Sequence, residues 1–85
     1  VAGYTLHQKK RFPFGSVEIT LSMHNDTVCD AMICGDFFGS APTEELEQAL
    51  CGKTLADIRQ NAADLNVEHY VFGMSAADFS TLLEF

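Results

Sequence analysis

The stretch "SVEITLSMHND", from Ser16 to Asp26, alternates between apolar and polar side chains. Its apolar positions are Val17, Ile19, Leu21 and Met23. Because successive side chains of a strand point to opposite faces, this alternation predicts a β-strand with one face buried and the other in water. We therefore expect a fold built on a sheet that is covered on one face.

The next stretch, "TVCDAMICGD", is rich in β-branched and apolar residues and predicts the returning strand of a hairpin. A two-residue turn at Asn25 and Asp26 would pair Leu21 with Asp30 and bury an unpartnered carboxylate, which is costly. A three-residue turn that also includes Thr27 leaves Asp30 in water, and we favour it. The buried face of the second strand would then carry Cys29, Ala31 and Ile33.

A third strand is expected upstream, in "GYTLHQKKRF". Apolar or aromatic residues at Tyr4, Leu6 and Phe12 are separated by polar ones. The stretch runs into "FPFG", where Pro13 lacks the N–H that a central strand needs. We therefore expect an edge strand that ends near Pro13.

The basic residues of this strand are the candidate binding residues of the chain. Residues 1–25 carry three basic side chains and one acidic one, whereas residues 26–85 carry two basic and eleven acidic side chains. The three basic side chains are Lys9, Lys10 and Arg11. They are either a solvated strand edge that discourages sheet pairing or a contact for an anion.

Downstream the hydrophobic period changes from two to about 3.6, which predicts three helices. In "TEELEQALCG", Thr43 is a candidate N-cap and Gly52 a candidate C-terminal stop. The second helix is expected in "TLADIRQNAADL", where Thr54 precedes Asp57 at capping-box spacing.

The third helix has the clearest start signal. In "MSAADFSTLLEF", Ser75 can cap the helix, Asp78 lies at its third position, and Met74 can pack on Phe79. The whole chain, residues 1–85, is therefore predicted to be a single α+β domain: a small antiparallel sheet of about three strands with three helices on one face.

Composition restricts the function. The chain has 85 residues and a formal net charge of −7. This charge disfavours binding to nucleic acid, because the phosphate backbone is also negative. It has no apolar run of the roughly 18–20 residues that span a bilayer. Its three cysteines lack disulfide or metal-ligand spacing, so we expect small buried thiols in a reducing compartment, and no metal site.

The stretch "GDFFGSAP" is interpreted as a strand-to-helix transition. Gly35 would allow a close backbone approach, and Asp36 would accept hydrogen bonds from backbone N–H groups of the following turn. Phe37 and Phe38 would both pack beneath the helices. These four residues are thus expected to be structural.

No catalytic residues are identified in the sequence. It shows no Ser/His/Asp or Cys/His grouping and no glycine-rich phosphate loop. A nucleophilic Cys34 would need a low pKa, and we expect the neighbouring Asp36 to raise it.

Four segments, taken in order, resemble the C-terminal accessory domain of bacterial lipoate–protein ligases. They are "KKRFPFGSVEI", "GDFFG", "LEQALCGK" and "HYVFGMSAADFSTLL". The resemblance extends from about Lys9 to Leu83. It implies that this chain, which begins with Val rather than Met, is a C-terminal fragment of a longer cytoplasmic ligase.

The resemblance also implies a function. Such ligases use ATP, magnesium and lipoate to form lipoyl-adenylate, and then transfer the lipoyl group to a lysine of acceptor proteins. Catalysis belongs to a large N-terminal domain, which would be the main partner of this chain. The small domain closes over the active site during adenylation, so the fragment would act as a lid that binds no cofactor itself.

Two alternatives remain at this stage. The "CGD" of Cys34 to Asp36 also resembles the first cysteine motif of iron–sulfur cluster scaffold proteins, which resemble this accessory domain in fold. Cys34 and Asp36 would then be cluster ligands, although such scaffolds carry further cysteines that are not matched here. The other alternative is a generic protein-interaction domain, since fold does not fix function.

Overall fold

The computed structural model describes residues 3–85. Three strands, β1 (Gly3–Phe12), β2 (Gly15–His24) and β3 (Thr27–Gly35), form an antiparallel sheet in the order β1-β2-β3. Three α-helices follow: α1 (Thr43–Leu50), α2 (Leu55–Gln60) and α3 (Ala76–Leu82). The predicted α+β class is confirmed.

The buried face of the sheet is the one predicted from the alternation in β2. Four side chains of β2 are fully or almost fully buried: Val17, Ile19, Leu21 and Met23. The strand β3 adds Val28, Ala31 and Ile33 to the same core. The helical half of the chain covers this face with Leu46, Leu50, Ile58, Phe79, Leu82 and Leu83, among others.

The turn between β2 and β3 differs from the prediction. Asn25 and Asp26 form a two-residue turn, and both have positive φ, 52° and 65°. A bulge beside Ser22 then shifts the register by one residue, so that Leu21 pairs with Ala31. The shift keeps Asp30 in water, as expected, but it also turns Cys29 to solvent, so the predicted inward Cys29 is wrong.

The bulge reconciles two local preferences. Asn and Asp tolerate the left-handed angles of a tight hairpin turn, which favours a loop of two residues. The buried face of β2 requires an apolar partner for Leu21, which favours the pairing with Ala31 that a three-residue turn would produce. One extra residue on β3 satisfies both demands.

β1 is the edge strand that the sequence predicts. It pairs with β2 over its full length, from Gly3 opposite His24 to Phe12 opposite Gly15. Pro13 and Phe14 form the turn, and the rings of Phe12 and Phe14 stack at 5.0 Å. These rings pack against the edge of the core.

The helix starts match the predicted caps in two of three cases. Ser75 and Asp78 form a reciprocal capping box at α3, and the Thr54 side chain accepts a hydrogen bond from Asp57 N–H at α2. At α1 the N-cap is Pro42, without a side-chain bond. Thr43, the predicted cap, is the first helical residue, and its hydroxyl donates to Ile33 O instead.

The predicted second helix is divided. The α-helical part ends at Gln60, and residues 62–65 and 67–69 form two short 3₁₀ turns. Between these turns Asn66 adopts a left-handed conformation, with φ of 55°. The break brings the chain back towards the end of β3, where its next residues contact the "GDFFG" segment.

Candidate functional site

The basic cluster lies on β1, but its members do not share a face. Lys9 pairs with Glu18 and Arg11 with Ser16, on the sheet face opposite the helices. Lys10 pairs with the fully buried Val17 and is half-buried on the helix side. The structure therefore brings two of the three candidate residues together on one surface.

The electrostatic surroundings of these two residues differ. Lys9 contributes to lowering the pKa of Glu18, after the larger effect of a hydrogen bond between Glu18 and His7. The charge of Lys9 is therefore partly balanced by a carboxylate on the neighbouring strand. Arg11 lies opposite the uncharged Ser16, so its positive charge is the less compensated of the two.

The predicted close backbone approach at Gly35 is present. Gly35 has a φ of 149°, and a Cβ there would come within 3.0 Å of the carbonyl carbon of Ser16 and nearer still to its oxygen. Gly15, with a φ of 136°, faces the backbone of Asp36 in the same way. Asp36 N–H donates to Ser16 O at 2.9 Å, which joins the start of β2 to the end of β3.

The role predicted for the Asp36 side chain is wrong. Across residues 3–85, Asp36 makes its hydrogen bond through the backbone N–H, and its carboxylate is exposed. The backbone of Asp36 lies against Gly15, and its N–H bonds to Ser16 O. The Asp36 carboxylate thus places a negative charge on the surface.

The two phenylalanines of "GDFFG" point in opposite directions. Phe37 packs against the core, as predicted, whereas the side chain of Phe38 is 87% exposed. The prediction that both rings lie under the helices is therefore wrong for Phe38. The core accepts the first of the two adjacent rings and leaves the second in water.

A second exposed phenylalanine lies beside Phe38. Phe72 N–H donates to Phe38 O at 2.6 Å, and Ser40 N–H donates to His69 O at 2.8 Å. The side chain of Phe72 is 70% exposed, while its neighbour Val71 is fully buried. Sequence reasoning did not single out Phe72, because the adjacent apolar pair "VF" does not by itself show which of its two members the core accepts.

Cys34 lies next to a carboxylate, though not the one expected. Its Sγ donates to Glu18 Oε1 at 3.6 Å. Partial desolvation raises the pKa of the Cys34 thiol, and the hydrogen bond and charge of Glu18 raise it further. Asp36, the carboxylate predicted to act on it, is not among the causes. Such a thiol is a poor nucleophile at neutral pH.

All three cysteines, Cys29, Cys34 and Cys51, are exposed free thiols, so the prediction that they are buried is wrong. Within residues 3–85, no three His, Cys, Asp or Glu side chains are grouped as metal ligands. The resemblance to iron–sulfur scaffolds therefore gains no support from the neighbours of Cys34. No helix formed by residues 3–85 has the length and apolarity to cross a membrane.

The fold and this site define a small α+β domain with a tightly joined loop that presents two aromatic side chains. Residues 2–83 match the family model described as "Bacterial lipoate protein ligase C-terminus". The chain belongs to this family, which confirms the resemblance found in the sequence.

Individual relatives agree with the family match. The chain is 32% identical over 85 residues to lipoate-protein ligase LplJ of Bacillus subtilis, covering 94% of this chain and 25% of that protein. It is 32% identical over 69 residues to lipoate–protein ligase 2 of Staphylococcus aureus, covering 79% of this chain and 20% of that protein. This chain therefore spans about a quarter or less of the length of these relatives.

A solved structure shares the fold. It is described as a bi-partite lipoate protein ligase and its E2 lipoyl domain from Thermoplasma acidophilum. One of its chains superposes with a TM-score of 0.82 at 22% sequence identity, and the match covers 98% of both chains. The fold of residues 3–85 thus occurs elsewhere as a chain of nearly the same size.

Proposed function

We propose that residues 1–85 are the accessory domain of a lipoate–protein ligase and act as a lid during ATP-dependent activation of lipoate to lipoyl-adenylate. The observation that carries the proposal is the family match over residues 2–83, in a chain that corresponds to a quarter of the curated ligase from Bacillus subtilis. The chemistry and the subsequent transfer to a lysine of acceptor proteins belong to the large catalytic domain.

The structure supports a lid because a lid needs a rigid body and a docking surface, and no nucleophile. Rigidity comes from one continuous core that joins the sheet to all three helices. The Cys34 thiol, whose pKa is raised, is unsuited to covalent chemistry. We therefore assign no catalytic residue to this domain.

Lys9, Lys10 and Arg11 are the proposed contacts for the anionic groups of ATP or lipoate. Arg11 is the foremost candidate because it is exposed and lies opposite an uncharged residue. A guanidinium can bind phosphate or carboxylate through two parallel hydrogen bonds. Lys10 lies on the other face of the sheet, so it would reach the same ligand only around the edge of the sheet.

ATP, magnesium and lipoate would be held by the large domain, with ATP supplying the adenylyl group. The small domain would exclude water from the activated carboxylate and bring positive charge near it. We further propose that the ligase is cytoplasmic, in line with three exposed free thiols. Its partners would be lipoyl-acceptor proteins rather than nucleic acid or membranes.

Separating the two half-reactions of the full-length ligase tests this proposal. Deleting the segment should abolish lipoyl-adenylate formation from ATP and lipoate, and should spare transfer from lipoyl-adenylate supplied ready-made. Arg11→Ser in the full-length enzyme should weaken adenylation, with Lys53→Ser, at an exposed basic residue outside the cluster, as a charge-matched control. Equal loss of both half-reactions after deletion would contradict a lid and indicate a general stabilising role.

A further inference from the structure

Phe38 and Phe72 form an exposed aromatic pair, the name used below for these two side chains. They are 87% and 70% exposed, the highest exposures among the large hydrophobic residues of the described chain. A folded domain seldom leaves two neighbouring phenylalanines in water without a binding role. Phenylalanine buries a large apolar area when it enters a pocket.

The aromatic pair is held outward by the fold. The segment of Phe38 is joined to that of Phe72 by the two backbone hydrogen bonds at 2.6 and 2.8 Å. Phe37 and Val71, which immediately precede the two rings, pack into the core. The exposure therefore belongs to a braced surface rather than to a loose loop.

A glycine between the two segments makes this bracing possible. A Cβ on Gly39 would lie 2.5 Å from the carbonyl carbon of Tyr70 and closer still to its oxygen. The backbones of Gly39 and Tyr70 can approach this closely only because position 39 has no side chain. The sequence places this glycine directly after Phe38, so the close approach fixes where that ring emerges.

The aromatic pair lies at the opposite end of the sheet from the start of β1. Gly3 is paired with His24 beside the β2–β3 turn, whereas Gly35, which leads into Phe38, is paired with Val17 near the start of β2. Ten residues of strand span about 33 Å. In a longer ligase, a preceding domain would therefore join this domain at one end of the sheet and contact the aromatic pair at the other end.

We propose that Phe38 and Phe72 dock into an apolar socket on the large catalytic domain of the ligase and hold the lid closed. This inference rests on the proposed function. The occupant is chosen because about three quarters of the Bacillus subtilis relative lies outside the matched segment, and because docking far from the point of attachment fixes the orientation of a lid.

Charge argues against a second copy as the occupant. The chain carries a net charge of −7, and Asp36 adds an exposed carboxylate two residues before Phe38. Two such surfaces would repel each other on approach. A socket with a basic rim on a different domain would instead attract the aromatic pair and its surroundings.

The test measures binding of the 85-residue chain to the separately produced large domain of its own ligase by isothermal titration calorimetry, with lipoate and a non-hydrolysable ATP analogue present. The double variant Phe38→Ala/Phe72→Ala should weaken binding by about tenfold or more, as expected for two central aromatic contacts. The matched control is Met32→Ala, which removes a 60% exposed apolar side chain from the opposite face of the sheet. It should leave binding within about twofold of wild type.

Folding of the variants is checked by circular dichroism melting, and a second double variant, Phe38→Leu/Phe72→Leu, keeps the surface apolar. We expect the leucine variant to retain more binding than the alanine variant. Wild-type affinity in a folded alanine variant would overturn the proposal. So would a dimer of the chain in analytical ultracentrifugation that the alanine variant abolishes, because a second copy would then occupy the surface.

Failure of the inference can be separated from failure of the proposed function. The wild-type chain and the alanine variant could support lipoyl-adenylate formation equally at subsaturating concentration. The lid function would then be supported, and the aromatic pair would not be the docking contact. If an isolated lipoyl acceptor domain binds the chain through the aromatic pair and the large domain does not, the inference is overturned in favour of acceptor recognition. If the wild-type chain neither binds nor activates the large domain, both are overturned.

Discussion

Replacing Gly39 with alanine tests whether the close contact between the "GDFFG" segment and residues 69–72 is a real constraint. The added Cβ would lie 2.5 Å from Tyr70 C, so one backbone has to move. Movement would break or stretch the hydrogen bonds of Ser40 N–H to His69 O and of Phe72 N–H to Phe38 O. Backbone strain adds nothing to this cost, because Gly39 does not have the left-handed φ that penalises other residues.

The expected loss follows from these two bonds. Each backbone hydrogen bond contributes about 0.5–1.5 kcal/mol net, so Gly39→Ala should lower the free energy of unfolding by about 1–3 kcal/mol. For a domain of this size that corresponds to a fall in Tm of roughly 5–20 °C. The variant should also weaken docking to the large domain, since it displaces Phe38.

Urea unfolding followed by circular dichroism measures the change, with Gly3→Ala as the matched control. A Cβ on Gly3 would meet Met23 O at 3.5 Å, an ordinary contact, so this substitution should change the free energy of unfolding by less than about 0.5 kcal/mol. If Gly39→Ala proves as stable as Gly3→Ala, the two segments are not tightly joined and the argument for a braced aromatic pair fails.

Two further predictions concern single side chains. Glu18→Gln keeps a hydrogen-bond acceptor but removes the negative charge that helps to raise the pKa of Cys34. Alkylation of Cys34 by iodoacetamide at pH 7.5, followed by peptide mass spectrometry, should therefore accelerate about 2–5-fold while that of Cys51 is unchanged. A constant or slower rate would show that the charge of Glu18 does not raise the pKa of Cys34. Ser75→Ala removes the 3.0 Å hydrogen bond from Asp78 N–H to the Ser75 hydroxyl, so it should lower the free energy of unfolding, measured in urea, by about 1 kcal/mol. Thr43→Ala is the comparison, because α1 has no side-chain cap. A loss no larger than that of Thr43→Ala would show that the capping box contributes little.

The register of the sheet shows what a sequence can and cannot predict. Burial of the Asp30 carboxylate would be costly, and Leu21 needs an apolar partner. The structure meets both requirements, since Asp30 is exposed and Leu21 pairs with Ala31. The route to that register was mispredicted, because a two-residue turn with a bulge and a three-residue turn produce the same pairing further along β3. Cys29, which lies at the bulge, was therefore placed on the wrong face.

The candidate site shows the same limit. Gly35 was predicted correctly because glycine has a specific conformational use at a close approach. The outward direction of Phe38 depends on which of two adjacent aromatic residues the core accepts, and hydrophobicity alone does not distinguish them. Its neighbour Phe72 lies 34 residues further along the chain, and the contact between them is visible only after folding.

The most direct test of the account is lipoyl-adenylate formation by the large catalytic domain, with ATP, magnesium and lipoate, before and after addition of this 85-residue chain in excess. The full-length ligase is the positive control, and chain carrying Phe38→Ala/Phe72→Ala is added in parallel. We expect the wild-type chain to restore adenylation and the variant to restore it less well at equal subsaturating concentration. Full adenylation by the large domain alone, or no response to the wild-type chain at any concentration, would contradict the assignment of this domain as the activation lid.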